Sequence, residues 1–408
     1  METCDVLIVG GGPAGSSCAW RLRQAGVDVV VLDKNPFPRH KVCAGWVTPP
    51  VLEELGLDTA DYQQRAVLQP ITRFITGLID GPEVETAYDR TVSYGIRRCE
   101  FDDYLLRRAN ARLRLGEVFR SLRREGTDWI VNDELRAPIV VGAGGHFCPV
   151  ARQFSTSHDA TSRPATNDST EPPTVVAQEV EFEMTEDQQR HCSVQPDRPE
   201  LFFCPDLKGY GWVFRKGNFI NIGLGREGEA HLSTHVTAFV QSLVVRGKIP
   251  GEFSDRFRGH AYRLRTVLPR PTAEDGILLI GDAAGLAERQ SGEGIRPAIE
   301  SGLLAASSIL EVDGQCRSEL GANYAHKLHA RFDVASSNSP TNWMPAPLRL
   351  FATRWLMTSR WFTRRVLLDR WFLHADQPPL HVGQTLRKAH VAMPLPSLDS
   401  NSARAKSS

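Results

Sequence analysis

The 408-residue sequence has no surplus of charge: 48 Lys and Arg stand against 48 Asp and Glu. No global field is then available to hold a polyanion, so a nucleic-acid binder is not expected. No run of about 18 apolar residues occurs, and no membrane-spanning helix is expected. The eight cysteines (Cys4, Cys18, Cys43, Cys99, Cys148, Cys192, Cys204 and Cys316) include no C-x-x-C pair. That spacing offers neither a zinc site nor a redox dithiol, so no metal is expected, and reduced thiols are the plain reading. A strand pattern begins within four residues of Met1, which leaves no room for a secretory leader. The expectation is a cytoplasmic chain, or one peripheral to a membrane. At 41% hydrophobic and 24% charged residues the composition is neither disordered nor collagenous. The length allows two or three domains, and no internal repeat is visible.

What is present begins at once. Cys4 to Val9 is a short apolar run of β character, followed by GGGPAG, in which Gly10, Gly12 and Gly15 have the G-x-G-x-x-G spacing. Ala14 to Gln24 reads as a helix, with Ala19 and Leu22 on its inner face, and Val27 to Leu32 as a second strand ending at Asp33. This is a complete βαβ fingerprint for a dinucleotide. The glycines permit a tight turn, close approach of a pyrophosphate, and close helix–strand packing. Phosphates favour the unpaired N–H groups and positive dipole end of such a helix, and Asp33 is placed to accept both hydroxyls of an adenosine ribose. Gly223, Gly225 and Gly228 in NIGLGREG repeat the spacing. No helix, strand and terminal acid follow them, so they read as a strand end with a turn.

Three further segments matter. Arg98 precedes Phe101, Asp102 and Leu105 at the start of a helix. Pro138 to Val141 is an apolar strand leading into GAGGHFCPVAR. Gly276 to Ile280 runs into GDAAGLAERQSGEGIRPAIESG, where a β run, Gly281, Asp282 and small residues precede a Gly-rich opening to a helix. Asp282 is suited to accept from a polyol hydroxyl, and the backbone N–H groups from Gly292 to Ile295 to face an anion or a ring.

Together these motifs resemble the FAD-binding oxidoreductases of the p-hydroxybenzoate hydroxylase type, and among them the sequence is most similar to the geranylgeranyl reductase branch. The finer likeness lies in KVCAGWVTP (Lys41 to Pro49) and GYGWVFRKGNFINIGLG (Gly209 to Gly225). The resemblance implies an α/β fold: a Rossmann-like FAD-binding domain, a mostly antiparallel β substrate domain and a helical C-terminal segment. It implies that Gly10, Gly12, Gly15 and Asp33, with Pro13, Ala14 and Lys34 beside them, bind the ADP half of FAD. Arg98, rather than Arg97, would contact the pyrophosphate region, because it stands three residues before Phe101. Gly281 and Asp282 would meet the ribityl side, and Gly292, Gly294 and Ile295 would lie beside the isoalloxazine. The sequence departs from the family at Gly144-Gly145, where many hydroxylases carry Asp-Gly. It departs again at Arg215, where the reductases carry proline, and at Arg296, where they tend to have an aromatic residue.

The expected activity is hydride transfer from reduced flavin to C=C bonds of a hydrophobic, isoprenoid substrate, with NAD(P)H or a small redox protein as electron donor. Two alternatives stand beside it: a monooxygenase hydroxylating an aromatic or polyketide-like compound, and a non-catalytic flavoprotein in an envelope-associated complex. An unpolarised alkene needs a proton source near the carbon that does not receive hydride. By resemblance the candidate is Cys43, whose pKa Lys41 and Arg39 would lower if they face it. The other reading of Cys43 is a small buried hydrophobe. Tyr210 and Trp212 alternate on a strand and project to one face, either as walls of an apolar substrate site or as a core pair. His40 and His146 are isolated acid–base candidates.

Residues 1–60, 90–155 and 270–330 are expected to form a discontinuous FAD-binding domain, with 61–89 and 174–269 as the substrate-binding β domain. The stretch 155–173 is nearly devoid of apolar residues and reads as a flexible loop. A helical cap over 331–390 and a disordered tail over 391–408 complete the chain. Within Trp343 to His374 lie four of the eight tryptophans and six arginines against one acid, Asp369. Such a segment suits a membrane interface admitting a lipid, or a set of helices closing the cleft with arginines turned outward.

Overall fold

The computed structural model describes residues 1–153, 174–228, 231–251, 253, 255–265, 272–312, 317–332, 352 and 354–381. The expected loop at 155–173, the tail at 391–408 and the first part of the aromatic segment, including Trp343, lie outside the described residues. In chain order the elements that build the central cavity are β1 (Val6–Val9), α1 (Pro13–Gln24), β2 (Val29–Asp33), α2 (Arg98–Arg108), β3 (Thr174–Glu183), β4 (Gly209–Lys216), β5 (Phe219–Glu227), α3 (Leu232–Val245) and α4 (Ile295–Glu311).

β1 and β2 are buried at every position. Strands covered on both faces read as continuous apolar runs, as VLIV and VVVLD do. They pair in parallel, Val6 opposite Val29, at the middle of a six-stranded sheet. Ile139–Gly142 and Ile277–Leu279 extend it on one side and Arg112–Leu115 on the other, all parallel. An antiparallel Ala273–Glu274 closes the edge. α1 lies against α2 and α4, and the shared core runs from Leu7 and Ile8 through Cys18 and Leu22 to Ala305.

The second large sheet has seven strands in the order Arg258–Arg263, β3, β5, β4, Glu200–Phe203, Arg73–Leu78 and Glu83–Ala87. It is mixed: Glu200–Phe203 pairs in parallel with Arg73–Leu78, and every other neighbour is antiparallel. One face packs Val180, Phe202, Val213 and Ile222 against Val236, Phe239 and Leu243 of α3. Alternation alone gives no sign of α3, because HLSTHVTAFVQSLVV sits among strands of similar apolar content. The other face carries Ala177, Leu201, Trp212 and Phe214 toward Trp46 and toward Met357, Leu368 and Phe372 of the C-terminal segment. Trp46 stacks on Phe214 at 5.0 Å and meets Phe372 edge-on at 5.6 Å. Thr363–Phe372 winds as a π-helix. Among the described residues no helix is long and apolar enough to cross a membrane, and seven cysteines are free thiols.

Candidate active site

A cavity of about 560 Å³ runs between the two sheets, from Asp33 at one end to Tyr210 and Trp212 at the other. At the first end the chain leaves β1 through Gly10 at φ +118°, where a Cβ would stand 2.3 Å from the carbonyl oxygen of Ala143. A Cβ on Gly15 would stand 1.9 Å from the carbonyl oxygen of Gly10. Only glycine satisfies both positions, and the turn is thereby pressed onto the start of α1. That helix has Gly12 as its N-cap, Pro13 at its first position, no capping side chain and no acidic residue in its first turn. Its unpaired N–H groups therefore face the cavity beside Gly12, Pro13 and Ala14. Asp33 lines the same end and is 8% exposed. Its carboxylate accepts from the N–H of Gly11 at 2.8 Å and of Asn35 at 2.9 Å. A ribose would share each oxygen with a backbone donor already in place. Lys34 is exposed at the rim.

Arg98 and Arg97 part company. Arg98 lines the cavity and donates from Nε and Nη2 to the two oxygens of buried Asp102, at 2.8 and 2.9 Å. Burial works against its charge, but Asp102 outweighs it and raises the pKa. Arg39 reaches Asp102 from the other side at 3.4 Å. Arg97 instead pairs with Glu100 and Glu181 and lies over the Phe219 ring at 3.5 Å.

At the far end, side chains from distant strands replace glycines. The half-buried Cys43 lines the cavity, and its Sγ accepts from the N–H of Gly45 at 3.4 Å. The loop is pinned from behind by β3 and β5: the Cys43 N–H donates to Glu179 Oε2 at 2.7 Å, and the Cys43 carbonyl accepts from Asn221 Nδ2 at 3.3 Å. Glu179 is buried, and burial pushes its pKa up to about 7. Burial would also raise Glu181, but Lys216 at 2.8 Å and Arg97 outweigh it and hold it low. Lys41 and His260 meet at 2.5 Å on the cavity wall. Burial lowers Lys41 to about 8, and burial with the Lys41 charge drives His260 down to about 3. The imidazole is thus neutral and accepts from the ammonium. Two cations lie near Cys43: Lys41, and Arg98, whose guanidinium hydrogen-bonds the thiol.

Tyr210 and Trp212 both line the cavity from β4. The Tyr210 hydroxyl donates to the Ser291 carbonyl at 2.6 Å, and Trp212 Nε1 donates to Asn221 Oδ1 at 2.6 Å. Burial raises Tyr210 well above its ordinary value. The repeated glycine spacing resolves here as well. Gly223 lies on β5 opposite Trp212, where a Cβ would stand 2.2 Å from the indole. Opposite this wall, Asp282, Gly292, Gly294 and Ile295 line the cavity. Gly292 lies at φ +69° and Gly294 is the uncapped N-cap of α4. Gly15 and Gly281 do not line the cavity. Gly281 stands behind the wall, its N–H bonded to Ser301 Oγ at 2.9 Å and its Cα facing Ala14 and Ala298. Both glycines let elements touch, and for Gly15 that is the close helix–strand packing expected of the third glycine of the motif. His40 lines the cavity with its pKa lowered by burial and Arg258, and His146 stands at the rim.

Comparison with known proteins agrees with this architecture. Residues 5–94 match the family model described as FAD dependent oxidoreductase. The chain is 25% identical to the digeranylgeranylglycerophospholipid reductase of Methanocaldococcus jannaschii, over 74% of this chain and 76% of that one. It is 28% identical to the geranylgeranyl diphosphate reductase of Rhodobacter capsulatus (75% of each) and 29% identical to the menaquinone reductase of Mycobacterium tuberculosis (76% and 77%). The chain has the FAD-dependent oxidoreductase fold, with geranylgeranyl reductases as distant homologues. Among solved structures, a geranylgeranyl bacteriochlorophyll reductase-like protein from Thermoplasma acidophilum superposes with a TM-score of 0.67 at 20% identity, covering 88% of both chains. A flavin-dependent brominase superposes at 0.66 and 16% identity, covering 91% and 92%. These two likenesses concern the fold.

The residues present fit FAD, as this fold implies. A glycine cradle that admits no Cβ at Gly10, an uncapped helix N-terminus and a buried carboxylate stand in sequence along one wall of a single cavity. Sequence reasoning passed over Glu293, His260, Tyr262, Glu179 and Asn221. Glu293 lies within Gly292 to Ile295, a stretch whose sequence signal is its backbone N–H groups rather than this side chain. Glu179 and Asn221 had a signal: each shares a strand face with buried small or apolar residues, Val175 and Ala177 on β3 and Gly223 and Gly225 on β5.

Proposed function

We propose that this protein is an FAD-dependent reductase of carbon–carbon double bonds in a hydrophobic, isoprenoid substrate. The carrying observation is the change of lining along one cavity, from glycine backbone and Asp33 to Val42, Trp46, Ala177, Leu201, Tyr210 and Trp212. An elongated apolar substrate is the ligand that such a far end suits. The printed activities of the distant homologues, on geranylgeranyl groups and menaquinone, point the same way. Residues 1–60, 90–155 and 270–330 form the cofactor-binding part in this reading, and 61–89 with 174–269 the substrate part.

Gly10, Gly12, Pro13 and Ala14 would hold the pyrophosphate with Arg98 nearby, Asp33 the ribose, Asp282 the ribityl chain, and Gly292, Gly294 and Ile295 the ring. When bound and reduced, FAD supplies a hydride. The chain's own part is to keep water from the far end with Trp46, Tyr210 and Trp212, and to orient the alkene against Cys43, whose loop Glu179 and Asn221 fix. The electron donor would be NAD(P)H or a small redox protein. A peripheral membrane contact would run through the C-terminal segment. Trp355 and Trp361 are each 68% exposed there, beside Arg354, Arg360, Arg364 and Arg365, a combination suited to an anionic interface.

The brominase-like fold keeps a monooxygenase of an aromatic compound as the second reading. One experiment separates the two. The purified protein is reduced chemically without oxygen, then mixed with a geranylgeranyl lipid or with aerated buffer, and the return of oxidised-flavin absorbance is followed. Reoxidation by the lipid with a saturated product is the expected result. Reoxidation by dioxygen alone would overturn the reductase reading.

A further inference from the structure

Glu293 lies between Gly292 and Gly294, in the wall of the large cavity. Its side chain is 5% exposed, yet among the described residues neither carboxylate oxygen accepts a hydrogen bond. A buried carboxylate without donors calls for a reason. The nearest charged group is His374 of the C-terminal segment, whose Nε2 stands 3.2 Å from Glu293 Oε2, at ion-pair distance but without the alignment of a hydrogen bond.

Behind Glu293 is a second, small void of about 10 Å³, the room one water needs. The other carboxylates lining it already have arginines. Glu288 has Arg265 at 3.0 Å, and Glu300 has Arg296 at 2.7 Å and Arg331 at 2.6 Å. An arginine neutralises a carboxylate but does not release its proton. Among the described residues of this cluster, Glu293 is the carboxylate at ion-pair distance from a side chain that titrates near neutrality. Burial works against a charged His374, but Glu293 and then Glu288 outweigh it and raise its pKa, with Arg296 opposing. On the cavity side Glu293 faces Tyr210, whose hydroxyl is engaged with the Ser291 carbonyl, and Tyr262 packs on Gly292. His374 is buried, but Ala375 and Asp376 directly after it are exposed. Its backbone is held at φ +46°, a conformation that glycine adopts freely and a histidine at some expense.

We propose that Glu293, backed by His374, is the proton donor of the cavity: large cavity, carboxyl, imidazole and protein exterior lie in that order. The use made of the proton rests on the reductase reading above. In that use the Nε2–H bond of His374 breaks, its proton passes through the Glu293 carboxylate, and a C–H bond forms at the alkene carbon that has not received hydride from the reduced flavin. One hydride and one proton thus add across the double bond. The neutral imidazole left behind takes a proton from solvent, which restores the imidazolium–carboxylate pair.

The test uses full-length, FAD-loaded protein and the variants Glu293→Gln, His374→Asn and His374→Gly. The two His374 variants suit a positive φ and should fold. The first readout, with no substrate present, is the His374 imidazole titration by NMR. Glu293→Gln is expected to lower its midpoint by about one unit. The second is the pH profile of turnover. Glu293→Gln is expected to lower kcat by about 100-fold with its flavin retained, and to lose the inflection. His374→Asn and His374→Gly should lose about tenfold, with added imidazole restoring part of the rate in the glycine variant. An unmoved His374 titration in Glu293→Gln would overturn the pairing. A moved titration with an unchanged pH profile would leave only a structural ion pair and overturn the donor role. If the wild type reduces no isoprenoid, the reductase reading fails. The same variants are then compared in reoxidation by dioxygen, which takes two electrons and two protons to peroxide, and an unchanged profile there overturns the donor role too.

Discussion

The two ends of the cavity are made of different materials. At the Asp33 end the wall is backbone: glycines whose missing side chains let β1, α1 and the Ala143 segment touch. At the Tyr210 end it is side chains delivered by β3, β4, β5 and the 39–45 loop, and their polar atoms are bonded to one another. The first kind of wall tolerates one shape and suits a constant ligand. The second is set by many separate residues, several with displaced pKa values, and is where a substrate would be selected. The difference teaches where a substitution will act on the fold and where on the chemistry.

The sharpest way to break this contrast is within the glycine end itself. Gly15→Ala places a methyl 1.9 Å from a backbone oxygen, so the turn must shift. A loss of about 3 kcal/mol or more is expected by urea unfolding. Gly12→Ala meets only the side-chain tip of Arg39, at 3.1 Å, and no backbone. It should fold within about 1 kcal/mol of wild type yet emerge without yellow flavin. Equal stability losses in both would mean that the cradle is one rigid unit and Gly12 not a ligand position.

At the other end the largest effect on stability should come from Lys216, buried against Glu181 at 2.8 Å. Lys216→Met strands a buried carboxylate with Arg97 and Asn221 as its remaining partners, and about 3 kcal/mol should be lost. Next comes Glu179→Gln. Burial raises Glu179 from 4.5 to about 7, so between those values the folded chain holds a proton that the unfolded chain has released. Its contribution is fully present below the unfolded value and is lost as pH rises through about 7. Glu179→Gln should therefore be nearly neutral at pH 4.5 and stabilising at pH 8, by up to about 3 kcal/mol. A difference that does not vary with pH would show that Glu179 titrates normally.

The contrast also explains what could be read before any coordinates. The βαβ unit was legible because G-x-G-x-x-G, two fully apolar strands and Asp33 are local in sequence and leave one steric solution. Arg98 was separable from Arg97 through the family resemblance, because it is the one that stands three residues before Phe101. The far end was legible only in parts. Tyr210 and Trp212 share a strand face, but nothing local says that Glu179, Asn221 and Cys43 meet, since those contacts join residues 136 and 178 positions apart. α3 was missed because its apolar residues sit among strands of the same composition. For Gly281 a motif gives spacing and not which side of a wall the residue occupies, and the structure sets it behind the wall, against Ala14 and Ala298.

The smallest expected change in stability falls on the residue with the most chemistry assigned to it. Cys43 is half-buried, and its Sγ accepts from the Gly45 N–H at 3.4 Å and lies beside the Arg98 guanidinium. The bonds that hold its loop run through its backbone to Glu179 and Asn221, and Cys43→Ala leaves those in place. The variant should unfold within about 1 kcal/mol of wild type and keep its flavin, while alkene reduction falls. Unchanged turnover would remove Cys43 from the chemistry and leave it as loop packing, with Glu293 as the acid on the opposite wall. A drop of several kcal/mol would contradict the division drawn here, because a side chain at the far end would then be holding the fold as the glycines do.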